Sequence, residues 1–361
     1  MSLKKLPLHN VHARLGARFV EFAGYHMPVQ YSSLIDEHLT VRSSAGLFDI
    51  SHMGWIMVEG KGAGSWLQRL TTNDIGQIGD TGCQYSFICN ANGGIKDDVI
   101  VYRRSACLFY VCVNSVNTDK ILKWMAENAM EGVDVRSPEV AILALQGPLS
   151  ERILSPLCKG KIETLRRYCF IETSVMDVDV ILSRTGYTGE DGFEIFFPRE
   201  HAERIWNGIL EKGSVLGINP AGLGARDTLR IEMGYPLYGH ELDEETTPFE
   251  AGLERFVSLE KDDFIGKTAL MGRQLNKKLV GIEMVQAGIA RSGYRILSDG
   301  RVVGHVTSGT YGPSVKKAIG MGYVAPSSAE RDCELDIEIR KTRARAIVRD
   351  MPFYKRLMLN Q

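Results

Sequence analysis

A double glycine followed by two adjacent acids constrains this chain most, because it fixes where one hairpin must turn. The stretch reads Asn90-Ala-Asn-Gly-Gly-Ile-Lys-Asp-Asp-Val-Ile-Val-Tyr102. Glycine adopts left-handed backbone angles without a steric penalty, so Gly93 and Gly94 predict a reversal of the chain. The β-branched residues that begin at Val99 then predict a buried strand.

The two acids, Asp97 and Asp98, should point to opposite faces, because side chains alternate along a strand. We expect one carboxylate to enter the fold, on the face that Asp98 shares with Ile100 and Tyr102, and the other to meet water. A buried carboxylate is costly unless something pairs with it. A ligand that carries N–H groups would be such a partner, and a solvated turn without a ligand is the alternative.

Length and charge exclude several classes of protein. The chain has 361 residues and a formal net charge of -1, which fits two or three domains and argues against nucleic-acid binding through bulk charge. No apolar run is long enough to span a membrane, and no signal peptide is visible.

The seven cysteines form no Cys-x-x-Cys pair, so we expect no metal site and a reducing, intracellular setting. Without a transit segment, a bacterial cytoplasm is the expected location.

The order of elements predicts an α+β fold. Strands, helices and strand pairs recur in a pattern typical of two α+β units, which we place at roughly 55–135 and at 1–54 with 136–277. A glycine-rich turn, Gly60-Lys-Gly-Ala-Gly64, is similar to a dinucleotide-binding turn, but its third glycine is one position early and no parallel strand–helix alternation follows. Short strands separated by turns predict a small β-barrel over 278–361.

Two carboxylates and three tyrosines are candidates for a binding site. Asp98 and Glu194 each lie beside a glycine-rich turn and an apolar strand. A buried carboxylate can accept two parallel N–H bonds from an aminopyrimidine-type edge. Tyr85, Tyr102 and Tyr187 could line a flat heterocycle.

Two arginines on a predicted helix are candidates for binding an anion. Arg226 and Arg230 are four residues apart and therefore share a helical face. Two guanidiniums so placed could clamp a carboxylate. Ion pairs with Asp227 or Glu232 are the alternative, and the sequence does not decide between them.

These motifs carry a resemblance that extends over nearly the whole chain. The sequence resembles the T-protein of the glycine cleavage system, an aminomethyltransferase. The matching stretches are Phe22-Ala-Gly-Tyr-His-Met-Pro, Phe48-Asp-Ile-Ser-His-Met, Asn92-Gly-Gly-Ile-Lys-Asp-Asp, Gln146-Gly-Pro, Thr185-Gly-Tyr-Thr-Gly-Glu-Asp-Gly-Phe-Glu, Gly222-Leu-Gly-Ala-Arg-Asp, Leu237-Tyr-Gly-His-Glu-Leu-Asp, Phe264-Ile-Gly-Lys and Thr307-Ser-Gly-Thr.

The resemblance implies a fold and a reaction. The fold would be a three-domain cloverleaf, in which residues 1–277 form two folate-binding α+β units around a central cavity and 278–361 form the barrel. The enzyme would take an aminomethyl group from the lipoyl arm of the H-protein, release ammonia and form 5,10-methylenetetrahydrofolate. Tetrahydrofolate would be the co-substrate, and no metal would be needed.

The resemblance also implies a role for individual residues. Asp98 would be the catalytic acid near the reacting folate nitrogens, and Glu194 would hold the pterin edge. Arg226 would meet the glutamyl tail or its vicinity, and Arg291 would guard the entrance of the lipoyl arm. The remaining side chains would line the folate pocket: Met53, Tyr85, Tyr102, Asn114 and Tyr187.

Two other functions belong to the same fold. One is a folate-dependent demethylase that acts on a sulfonium or a secondary amine. The other is a non-catalytic folate-binding scaffold for iron–sulfur assembly, which would be expected to contain a Lys-Gly-Cys tripeptide that this sequence lacks. The motifs around Asp98 and Arg291 favour the aminomethyltransferase over the demethylase.

Overall fold

The computed structural model describes residues 3–272 and 274–356. The chain divides into two compact units, one formed by 1–86 with 98–226 and the other by 87–97 with 227–361. No helix in the described ranges is long and apolar enough to cross a membrane.

Strands and helices are interspersed along the chain. The strands are β1 (Lys4–Lys5), β2 (Arg18–Phe22), β3 (Tyr25–Gln30), β4 (Gly46–Asp49), β5 (Gly54–Glu59), β6 (Cys83–Cys89), β7 (Ile95–Ser105), β8 (Leu108–Val113), β9 (Asp134–Arg136), β10 (Val140–Gln146), β11 (Phe170–Val175), β12 (Val178–Ser183), β13 (Gly192–Pro198), β14 (Asn219–Pro220), β15 (Lys278–Met284), β16 (Arg295–Ser298), β17 (Arg301–Gly312), β18 (Lys317–Val324), β19 (Glu334–Ile339) and β20 (Thr342–Arg349).

The helices are short and fall mostly in the first unit. They are α1 (His9–Arg14), α2 (Leu34–Ser43), α3 (Ala63–Leu70), α4 (Thr118–Glu127), α5 (Ser150–Leu154), α6 (Ala202–Gly213), α7 (Leu223–Glu232) and α8 (Lys267–Leu270).

Three sheets organise the first unit. Their strand orders are β1-β3-β2, β11-β12-β13-β10-β4-β14 and β6-β7-β8-β5-β9. Residues 87–97, from which β6 and β7 of the third sheet take part of their length, belong to the second unit. The strand before the glycine-rich turn at 60–64 is not part of a parallel nucleotide-binding sheet, because β5 pairs antiparallel with both β8 and β9.

A single large core supports the six-stranded sheet. It joins inward side chains of β10 and β13, such as Leu143 and Ile195, to Trp206 and Ile209 on α6. The apolar residues of α6 recur at helical spacing, so one face of the helix is buried against the sheet. This packing gives β13 a fixed support, which matters because β13 carries Glu194.

The second unit contains the barrel that the sequence predicts. Six strands close it in the order β15-β18-β17-β16-β19-β20. In β19 the side chains of Leu335 and Ile337 enter the apolar interior, as expected for an alternating strand. The predicted α+β class with a C-terminal β-barrel is therefore confirmed.

The predicted reversal at the double glycine is also present. Gly93 has a left-handed φ of +80°, and the amide of Asn90 donates to the carbonyl of Gly94 at 2.8 Å. A Cβ at Gly94 would lie 1.8 Å from the carbonyl oxygen of Glu244. Only glycine fits there, because the two backbones approach so closely.

The expectation that Asp97 meets water is wrong. Strand β7 includes both acids, so they do alternate, but Asp97 is 0% exposed. Asp98 is half-buried. Both faces of this strand are covered, and alternation alone then no longer separates a buried side chain from a solvated one.

Candidate active site

Asp98 is held by hydrogen bonds from two neighbouring strands. The phenol of Tyr85, on β6, donates to Oδ2 at 2.9 Å. The side-chain amide of Asn114, at the end of β8, donates to Oδ1 at 2.7 Å. A carboxylate can accept about four hydrogen bonds, so both oxygens keep lone pairs for a further donor.

Burial and hydrogen bonding act on Asp98 in opposite directions. Burial raises the pKa of its carboxyl group, and the donors from Tyr85 and Asn114 partly offset that rise. A carboxyl group whose pKa is shifted by burial and by specific hydrogen bonds is typical of an acid or base at a functional site. The sequence predicts a carboxylate that enters the fold at this position. Asp98 does so, because its two oxygens are held between β6 and the end of β8.

Met53 and Asn114 emerge at the same edge of the five-stranded sheet as Asp98. Gly54 pairs with Val113 across β5 and β8, so the residues that flank this pair, Met53 and Asn114, are neighbours at the ends of their strands. Both are half-buried. Met53 therefore lies beside the group that holds Asp98.

Glu194 is a second buried carboxylate, on β13. It is 8% exposed, and its Oε2 accepts a hydrogen bond from the hydroxyl of Thr185 at 2.5 Å. Burial raises the pKa of Glu194, while Thr185 and the positive charge of Arg226 lower it. Within the described residues no donor reaches Oε1, so this oxygen is available to a ligand.

Arg226 lacks hydrogen-bond acceptors in the described part of the chain. Its guanidinium carbon lies 4.8 Å from the ring centroid of Tyr187, a cation–π arrangement that fixes the plane of the group. Burial lowers its pKa and Glu194 raises it. A half-buried guanidinium without acceptors is expected to bind an oxygen-bearing ligand.

Tyr102 is packed between the strands that carry the two carboxylates. Its ring is 0% exposed and makes edge contacts with Trp55 at 5.1 Å and Phe196 at 5.7 Å. Its pKa is raised by burial and then by the charge of Glu194. Tyr102 lies on the same face of β7 as Asp98, and its contact with Phe196 packs β7 against β13, the strand that carries Glu194.

The loop that carries Tyr187 is fixed from beneath by Gln146. The side-chain amide of Gln146 donates to the carbonyl of Thr185 at 3.1 Å, and its oxygen accepts from the hydroxyl of Thr188 at 3.0 Å. Gln146 is 1% exposed. It helps to hold both Tyr187 and the Thr185 hydroxyl that bonds Glu194.

Sequence reasoning overlooked Thr185 and Gln146 as contributors to the site. Both lie in stretches that carry the family resemblance, but a threonine in a turn and a glutamine at the end of a strand are common residues. A buried polar side chain that follows an apolar strand was the available signal for Gln146.

Arg230 does not share the environment of Arg226. It is 1% exposed and pairs with Asp227 at 2.9 Å and with Glu241 at 2.8 Å. The expected ion pair with Asp227 is therefore present, but Arg230 is buried and its second partner is Glu241 in place of Glu232, so the two-arginine clamp is not formed. Arg291, in the second unit, is exposed, with its guanidinium 3.4 Å from the carbonyl of Gly309.

Two family models match most of the chain. The model described as the GCVT N-terminal domain matches residues 8–261. The model described as the glycine cleavage T-protein C-terminal barrel domain matches residues 277–355.

Full-length relatives are similar in sequence and structure. An aminomethyltransferase of Desulfitobacterium hafniense is 48% identical and covers 98% of this chain and 99% of its own length. One from Caldanaerobacter subterraneus is 45% identical, with coverage of 98% and 97%. The crystal structure of the glycine cleavage system aminomethyltransferase T from Bartonella henselae has a TM-score of 0.93 at 34% identity, and covers 98% of this chain and 99% of that one.

Proposed function

Because this chain belongs to the glycine cleavage T-protein family and is an aminomethyltransferase, we propose that it transfers a methylene carbon from the H-protein to tetrahydrofolate. The donor would be the aminomethyl group on the dihydrolipoyl arm. The carbon–sulfur and carbon–nitrogen bonds of that group break, and two bonds to folate nitrogens form. The two folate N–H protons leave with the products, one on ammonia and one on the dihydrolipoyl thiol.

The observation that carries this proposal is the Asp98 carboxylate held by Tyr85 and Asn114. Folate supplies the two nucleophilic nitrogens. Asp98 would orient their N–H groups and stabilise the positive charge that develops as ammonia departs. The two donors keep the carboxylate in one rotamer, so little reorganisation is needed during the reaction.

Glu194 and Arg226 would hold the pterin ring. The free Oε1 of Glu194 suits the amino and N–H groups of the pterin edge, and the carbonyl oxygen beside those groups requires a donor. Arg226 is such a donor, and its charge lowers the pKa of Glu194. This proximity favours the pterin carbonyl over the glutamyl tail as the partner of Arg226. The ring of Tyr187, with Met53, would complete the pocket. Tyr102, which the sequence predicts as a pocket residue, is 0% exposed and would support the pocket from within the core.

The H-protein would be the macromolecular partner. Arg291 is exposed in the second unit and would contact the arriving lipoyl arm or the protein that carries it. The relatives are bacterial, and a cytoplasmic location is proposed with them. Neither nucleic acid nor a membrane is part of the proposal.

The test measures ammonia. The purified chain is mixed with aminomethyl-loaded H-protein, with and without tetrahydrofolate. We expect ammonia release that depends on folate, together with 5,10-methylenetetrahydrofolate in equal amount. If ammonia does not depend on folate, the proposal fails. A methyl donor such as a sulfonium or a secondary amine, tested in place of the H-protein, distinguishes the demethylase. Folate binding without turnover of any donor would favour the scaffold.

A further inference from the structure

The hydroxyl of Thr185 lies between two acceptors. Its Oγ1 is 2.5 Å from Oε2 of Glu194 and 2.9 Å from Oγ of Ser183. All three side chains are buried and belong to the first unit. Strand pairing accounts for the cluster, because Ser183 on β12 lies directly opposite Glu194 on β13. Residues paired in this way present their side chains on the same face of a sheet.

The single proton of the Thr185 hydroxyl can serve only one of these acceptors. A hydrogen bond to an ionised carboxylate is roughly twice as strong as one to a neutral hydroxyl, so the proton goes to Glu194 while that group is charged. Ser183 does not depend on this proton, because its Oγ also lies 3.6 Å from the sulfur of Cys83. The Thr185 hydroxyl is therefore aimed at Oε2 of Glu194.

The bond from Thr185 fixes a rotation of Glu194 that is otherwise loose. The carboxyl group of a glutamate turns about its last bond over a broad, two-fold energy profile. Thr185 holds Oε2, and Gln146 in turn holds the carbonyl of Thr185 at 3.1 Å. Oε1 accepts no hydrogen bond from the described residues, and it is not sealed from solvent. The oxygen that a ligand can reach is therefore presented in one orientation.

We propose that Thr185 is a positioning residue of the pterin site, whose hydroxyl orients the Glu194 carboxylate towards the N–H groups of the pterin edge. This inference rests on the proposed function. Thr185 acts only through Glu194 and contacts no substrate atom itself. Burial raises the pKa of Glu194 and the Thr185 hydroxyl lowers it, so loss of the hydroxyl should make Glu194 take up a proton at a higher pH.

The first test follows Glu194 in the ligand-free chain. Thr185→Val removes the hydroxyl and keeps the branched shape, whereas Thr185→Ser keeps the hydroxyl. The carbon-13 carboxyl resonance of Glu194, identified by its loss in Glu194→Gln, is titrated with acid. We expect the midpoint to rise by about one pH unit in Thr185→Val, the equivalent of one charge-assisted hydrogen bond. Thr185→Ser should restore the wild-type midpoint.

The second test measures the binding of tetrahydrofolate by calorimetry under anaerobic conditions, without the H-protein. We expect the Kd to rise about tenfold in Thr185→Val and to return to the wild-type value in Thr185→Ser. Thr173→Val is the matched control. The hydroxyl of Thr173 donates to the carbonyl of Lys159 at 2.6 Å on the edge strand β11, and its loss should change neither the Glu194 midpoint nor the Kd.

Each outcome decides. An unmoved midpoint of Glu194 in Thr185→Val would overturn the inference, and so would a raised midpoint with an unchanged Kd. If Thr185→Val does not fold, Thr185→Cys takes its place. A thiol is a weaker donor than a hydroxyl, so both readouts should change in the same direction, and no change would count against the inference. Neither test contains the H-protein, so a failed ammonia assay would refute the proposed function separately.

Discussion

The phenol of Tyr85 donates a 2.9 Å hydrogen bond to Oδ2 of Asp98, and this contact joins two strands at the proposed catalytic carboxylate. The bond stabilises the ionised form and therefore lowers a pKa that burial raises. The pKa of the Asp98 carboxyl group therefore depends on the Tyr85 hydroxyl as well as on its own burial.

Tyr85→Phe should move the acidic limb of the pH–rate profile to higher pH. Without the donor the pKa of Asp98 rises further, so the carboxylate is lost at a higher pH as acid is added. The expected shift is about one pH unit, the equivalent of one charge-assisted hydrogen bond. The measurement is kcat/KM for ammonia release between pH 5 and 8. Tyr311→Phe, exposed on the barrel, should leave the limb in place, and an unmoved limb in Tyr85→Phe would contradict the assignment.

Asp98→Asn and Asp97→Asn should separate catalysis from folding. Asp98→Asn should lower kcat by roughly 10²-fold or more, the usual contribution of a positioned acid–base group, while folate binding is partly kept. Asp97 is fully buried, so Asp97→Asn should cost about 1–3 kcal/mol of unfolding free energy and keep turnover per folded molecule. Thermal melts and single-turnover assays measure both. The reverse pattern would mean that Asp97 is the catalytic acid.

Gly186→Ala should weaken folate binding through Gln146. A Cβ at Gly186 would lie 1.9 Å from Oε1 of Gln146, so this side chain must move and release the loop that carries Tyr187. We expect a higher KM for tetrahydrofolate, a lower Tm and little change in kcat. Gly79→Ala, where no atom lies within 4 Å of the added Cβ, is the matched control. Equal KM values for the two variants would exclude Gln146 as a positioning residue.

His52 should make the fold sensitive to acid. The pKa of His52 is about 3 in the folded chain and about 6.5 in an unfolded one, so the unfolded state binds the proton first. The stability from this group is complete above pH 6.5 and is lost as pH falls from 6.5 towards 3. Relative to His52→Phe, the wild-type chain should lose about 1 kcal/mol of unfolding free energy between pH 6 and 5. Urea titrations at both pH values measure the unfolding free energy. Equal losses in the wild-type chain and in His52→Phe would contradict a buried, neutral His52.

Much of the fold could be predicted because its local patterns are strong. The apolar, β-branched run at 108–113 favours a strand by its composition alone, and β8 spans Leu108–Val113. The residues at 335–340 alternate between apolar and polar, the pattern of a half-buried strand, and β19 spans Glu334–Ile339. The turn at Gly93 followed from the conformational freedom of glycine, which neighbouring elements do not alter.

The candidate site was less accessible to such reasoning. Arg226 and Arg230 looked equivalent on a helical face, yet Arg230 is neutralised by Glu241 and Arg226 is not paired within the described residues. Likewise, nothing in the spacing of Asp97 and Asp98 indicates that the first is completely enclosed. Such differences depend on which distant segment packs against each side chain.

The sequence by itself determined the class of fold and the position of the hairpin turn, because propensity and alternation act between near neighbours. The tertiary structure alone decided which polar groups of the candidate site find hydrogen-bond partners among the described residues. Tyr85 and Asn114 reach Asp98 from separate strands, and Thr185 leaves one oxygen of Glu194 open. Desolvation and hydrogen bonding depend on every group around an atom in space, and these groups come from positions far apart in the chain.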